Sequence, residues 1–134
     1  MIKKFIEKFY TNKTYFTYDE LKCPCCGECN VTGEAFRMLY VARVIANTRF
    51  KIISGYRCPK HNAEVGSTSE NHVRGEAFDI YCTESWLRIK IIVGLILAGF
   101  RRIGMHKTFI HVDRMRQHQG DIGPALWIGK NPGQ

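Results

Sequence analysis

Apolar residues recur along this chain at spacings that switch between helix and strand. In the opening "MIKKFIEKFYTNK", Ile2, Phe5, Ile6 and Phe9 fall on one helical face, which predicts a short amphipathic helix over residues 1–13. After a cysteine-rich loop, Phe36, Leu39, Tyr40, Ala42, Val44 and Ile45 return at roughly helical spacing behind Thr32, a candidate N-cap. "FKIIS" at 50–54 predicts a short buried strand stopped by Gly55, and the polar stretch after it predicts one helical turn following Pro59. "EAFDIYC" predicts a strand. "TESWLRIKIIVGLILAG" predicts a helix capped by Thr83 or Ser85 and ended by Gly99 in the C′ position. Its apolar run, 91–100, is too short to span a bilayer and lies between Lys90 and Arg101, so it predicts a core helix.

"FRRIGMHKTFIHVDRM" alternates in two short bursts, a pair of strands turning at His106–Lys107. The tail from Gln117 is rich in glycine and proline and reads mostly as loop, pinned by Leu126, Trp127 and Ile128. Trp86, Trp127 and Phe100 are expected as core aromatics first and as cleft walls second. Helix, strand, helix and then two strands predict an α+β fold: one small domain over 1–134, its sheet mostly antiparallel with flanking helices.

The 134 residues suit one domain with a substantial core. Charge changes the picture more: 20 Lys+Arg against 12 Asp+Glu give +8 and a pI near 9.3. Such a surface is drawn to polyanions, whether nucleic acid, anionic lipid or an acidic wall polymer. The basic residues are scattered, with only short clusters such as Lys3-Lys4 and Arg101-Arg102, which favours a diffuse field over a nucleic-acid stripe. No segment has the apolar core and cleavage site of a signal peptide. The expectation is a soluble monomer made in the cytoplasm, without a membrane span or nucleic-acid partner.

Asp79 stands between Phe78 and Ile80, where an unpaired carboxylate is costly to desolvate. A bound cation would offset that cost, and His72 lies seven positions upstream. Gly75 would let the backbone turn tightly between the two, and Ala77 would keep bulk from an ion. A third ligand should come from a distant rigid element. "FIHVD" supplies His111, whose side chain shares a strand face with that of Asp113. Two nitrogens and a carboxylate make a zinc set with one position left for water.

In order, "SGYRCPKHN", "SENHVRGEAFDI" and "FIHVD" resemble the zinc D-alanyl-D-alanine carboxypeptidases and L-alanyl-D-glutamate endopeptidases of peptidoglycan, a group that includes many phage endolysins and shares its fold with the hedgehog signalling domain. The resemblance spans roughly residues 16–115. It implies that His72, Asp79 and His111 bind one catalytic Zn²⁺, and that Arg57 holds a substrate carbonyl or carboxylate beside it. It also implies peptidoglycan peptides as substrate and action on the cell wall.

Two positions depart from the family pattern. A serine usual two residues before the first ligand is Glu70 here, with Ser69 one further back as the substrate-binding candidate. The acidic base usual three residues before the last ligand is Thr108. His106 matches a histidine that some members use instead, and Asp113 is a further candidate on geometric grounds. Thr108 also leaves open a zinc-bearing binding domain without catalysis. Cys23, Cys25, Cys26 and Cys29 are dense enough for a second, structural zinc, though four ligands in seven residues need help from Cys58 or Cys82. Disulfides and free thiols are the other readings.

Overall fold

The computed structural model describes residues 15–115 and 124–129, so the helix expected over 1–13 lies outside it. The described elements are α1 (Tyr18–Leu21), α2 (Gly33–Ala46), β1 (Lys51–Ser54), α3 (Pro59–Glu64), β2 (Ala77–Tyr81), α4 (Ser85–Leu97), β3 (Arg102–Met105), β4 (Phe109–Asp113) and β5 (Ala125–Ile128). Thr32 caps α2 as its sequence predicts, its hydroxyl accepting from the Ala35 N–H at 3.1 Å. Gly99, at φ +107°, ends α4 in a Schellman arrangement. There the Gly99 N–H reaches the Ile96 carbonyl and the Phe100 N–H that of Leu95, both at 3.0 Å.

The start of α4 differs from expectation. Its N-cap is Glu84, with no side-chain cap bond, rather than Thr83 or Ser85. Cys82 is still tied to the neighbouring strand segment through its N–H to the Thr108 carbonyl (2.9 Å), which delays the helix to Ser85. Nor is α4 wholly a core helix: Ile91, Gly94 and Leu95 are buried, whereas Trp86, Ile89, Val93, Ile96 and Leu97 are exposed. It buries only the side facing α2. The approach is close because Gly94 lacks a Cβ, which would stand 2.5 Å from the Ala42 carbonyl oxygen. Among the described residues, no helix is long and apolar enough to cross a membrane.

The five strands form one mixed sheet in the order β1-β2-β4-β3-β5. Every pairing is antiparallel except that of β5, which runs parallel to β3. The tail expected as mostly loop therefore supplies an edge strand, and within it Trp127 is buried while Leu126 and Ile128 are exposed. Phe78, Ile80, Ile103, Ile110 and Val112 join Leu39, Ile91 and Leu95 in the core. Alternation along the strands then turns Asp79, Gly104, His111 and Asp113 to the opposite face.

Gly75, at φ +71°, closes the turn between His72 and β2. It also meets the segment ahead of α2: its carbonyl accepts the Thr32 N–H at 3.0 Å, and a Cβ would lie 1.9 Å from the Asn30 carbonyl oxygen. Gly75→Ala is therefore expected to lose about 2–4 kcal/mol through left-handed strain and overpacking. A lowered urea midpoint with an unchanged m-value would report it.

Candidate metal centre

Register assembles the site. Ser54 pairs with Asp79, Asp79 with His111, His111 with Gly104 and Gly104 with Trp127, so one row of residues crosses all five strands. An irregularity between Ile52 and Ser54 in β1 brings Ser54 into that row. Gly104 makes room for the indole of Trp127, since a Cβ there would sit 2.6 Å from the ring. The Trp127 and His111 ring centroids are 5.9 Å apart.

His72 enters from the 71–75 turn. Its Nδ1–H donates to the Gly55 carbonyl at 2.8 Å, which fixes the ring and leaves Nε2 facing Asp79 Oδ2 at 3.4 Å. The other Asp79 oxygen lies 2.9 Å from His111 Nδ1. The far nitrogen of His111, Nε2, donates to Asp113 Oδ2 at 2.7 Å. One donor atom from each of His72, Asp79 and His111 thus lies within 4.8 Å of the others, at the floor of an open cleft of about 440 Å³.

Charge balance suits a cation. Burial raises the Asp79 carboxyl, but hydrogen bonds and positive charge from His111 and His72 outweigh it and hold the group well below the usual carboxylate range. Burial lowers the His111 imidazole, yet its bonds to Asp113 and Asp79 prevail and raise it to about 9. In the metal-free protein a proton on His111 therefore supplies the positive charge that the carboxylates demand. A divalent ion among the same donors would replace it.

Arg57 reaches the cleft from the segment after β1. Its Nη2 lies 3.1 Å from Asp79 Oδ2, while Ser54 Oγ accepts from Nε (3.0 Å) and Asn62 Oδ1 from Nη1 (3.3 Å). Asn62 also holds the opposite rim by donating to the Ser69 carbonyl at 2.8 Å. Ser67, Thr68 and Ser69 form that rim, and His106, Phe109 and Trp127 form the other wall. His106 stacks on Phe109 at 4.2 Å, and burial is the chief reason its pKa falls below the ordinary histidine value. Trp86, expected as a core aromatic, stands exposed on α4.

A family model for Peptidase M15 matches residues 14–113. The chain belongs to the M15 peptidase family. No curated protein matches it. The family points to a metallopeptidase, and M15 peptidases use zinc. The imidazole–carboxylate–imidazole set found here is hard-to-borderline donor chemistry of the kind that ion takes. In this M15 chain, His72, Asp79, His111, Arg57, Ser69 and His106 all line one cleft.

Asp113 is the exception. It is fully buried beneath the cleft, and its oxygens are taken by His111, by Arg102 Nε at 3.0 Å, by Asn71 Nδ2 at 3.4 Å and by the Met115 N–H at 2.9 Å. Neither water nor substrate can reach it, which removes its case as general base. Its cation is Arg102 and not Arg114, which pairs with Glu76 at 2.8 Å. Thr108 is exposed at the β3–β4 turn.

The cysteines also regroup. All six are free thiols, and the set that converges is Cys23, Cys26 and Cys58 rather than Cys23, Cys25, Cys26 and Cys29. Sequence reasoning passed over the Gly55 carbonyl, Asn71, Arg102 and Gly104. Of these only Arg102 and Gly104 carried a signal, through the alternation of "RIGM", and it needed strand pairing to become legible.

Proposed function

We propose that the protein is a zinc-dependent peptidase that hydrolyses a peptide bond of the peptidoglycan stem, acting on the cell wall in the manner of an endolysin. The observation that carries this reading is the convergence of His72, Asp79 and His111 on the floor of a cleft flanked by the guanidinium of Arg57 and the imidazole of His106. Zinc held there would polarise a scissile carbonyl and bring the pKa of a bound water to about 7.

The protein's own groups do the rest. Arg57, steadied by Ser54 and Asn62, takes the substrate carbonyl or a terminal carboxylate and stabilises the oxyanion as it develops. Ser69 and its neighbours offer hydrogen bonds to the peptide, and Trp127 and Phe109 provide an apolar wall. His106 accepts the proton of the attacking water and returns it to the leaving amine. With Asp113 sealed beneath the cleft and only a hydroxyl at Thr108, His106 is the base that faces the cleft. The net charge of +8 suits a substrate whose peptides carry carboxylates.

His106→Ala is expected to lower kcat by roughly 10²–10⁴-fold while metal content stays unchanged. Unaltered turnover would move the proton transfer to another group. The reading as a whole is tested by incubating the purified protein with peptidoglycan sacculi, with and without chelator, and counting free amino groups. Metal-dependent release is expected, and mass spectrometry of a digested muropeptide then identifies the bond. Full zinc occupancy with wall binding and no release would favour a non-catalytic binding domain instead.

A further inference from the structure

Cys23 and Cys26 lie in the loop after α1, and Cys58 caps α3 more than 30 residues later, yet the three sulfurs stand within 4.8 Å of one another. The surrounding peptide groups are turned toward sulfur. Cys23 Sγ accepts from the N–H of Cys58 at 3.4 Å and from the amides of Cys26 and Cys25. Cys58 Sγ accepts from the His61 N–H at 3.4 Å. Gly27, at φ +75°, closes the first turn by donating its N–H to the Cys23 carbonyl at 2.9 Å.

Amides aimed at a sulfur favour its thiolate form. Three thiolates this close repel one another unless a cation lies between them, and a disulfide would use two and leave the third. Zinc–sulfur bonds of about 2.3 Å set tetrahedral sulfurs roughly 3.8 Å apart, which the cluster can meet with small side-chain shifts.

We propose that Cys23, Cys26 and Cys58 hold a structural zinc ion, separate from the His72–Asp79–His111 centre, with the fourth position on the exposed side where the Cys25 thiol meets that of Cys58. The ion would clamp the loop after α1 to the segment following β1. That segment carries both Gly55, whose carbonyl orients His72, and Arg57, which enters the cleft. The clamp would add to the backbone bond there between the Tyr56 N–H and the Leu21 carbonyl (2.9 Å).

The test is cobalt loading of the full chain under reducing conditions, read by metal stoichiometry and by the near-ultraviolet thiolate-to-cobalt charge-transfer band. Two metals per chain and a strong band are expected. His111→Ala should keep the band with one metal, and Cys58→Ser should lose the band with one metal retained. The unaltered protein and His111→Ala decide the matter even if Cys58→Ser fails to fold. Absence of the band, or one metal in the unaltered protein and none in His111→Ala, would overturn the proposal. One metal with the band in both proteins would instead uphold it and count against the histidine centre.

Discussion

Asp79→Ala is expected to remove the metal from the cleft and, with it, hydrolysis, by on the order of 10³-fold or more in kcat/KM. Among the described residues, Asp79 is the one carboxylate that faces His72 Nε2, His111 Nδ1 and Arg57 Nη2 together. Without it, a guanidinium and two imidazoles would line the floor, an arrangement that repels a divalent ion. Elemental analysis after dialysis should find the histidine centre empty, and the sacculus assay should fall to the level of chelator-treated protein. Adding zinc back separates the causes: chelated unaltered protein recovers, whereas the variant does not. Hydrolysis by Asp79→Ala at the full rate would end the metallopeptidase reading of this cleft.

The same residue shows why much of the site was legible in sequence. A carboxylate between Phe78 and Ile80 in a five-residue strand must be compensated, and a histidine behind a tight turn and a second on a later strand are local signals. Helices and strands were legible for a similar reason, since each carries its own period. What stayed hidden depends on which strands meet. Pairing of β5 with β3 places Trp127 over Gly104 and turns a residue expected first in the core into a wall of the cleft. The same holds for the choice of Cys58 over Cys82 as partner to Cys23, made only by the packing of two loops, and for the exposed side of α4, whose apolar composition misled. Spacing can name a metal knuckle, but it cannot choose a partner from across the fold.

Asp113 is where pairing changed a role, and it carries the largest expected effect on stability. In the sheet it sits directly opposite Arg102 on β3 and Ala77 on β2, at 0 % exposure, with Arg102 itself 3 % exposed. Replacing one partner of such a buried ion pair costs about 3–5 kcal/mol. Asp113→Ala is therefore expected to lie near the unfolding threshold of a domain this size. Asp113→Asn preserves the shape and an acceptor for His111 Nε2–H, so it should fold, but with less negative charge behind the ligand its zinc affinity should fall by on the order of 10–100-fold. The acid side of the profile follows from the same contacts. Burial raises the Asp113 carboxyl, but His111, the Met115 amide and Arg102 together hold it below its ordinary value. A depressed folded pKa gives stability that is present above the unfolded carboxyl value of about 4 and lost as pH falls through the folded one. The gap in stability between the unaltered protein and Asp113→Asn should thus be full at neutral pH and close in strong acid. Urea unfolding of both metal-free proteins at several pH values measures it. A gap that stayed constant into acid, or a zinc affinity untouched by the asparagine, would show that Asp113 does not steady His111.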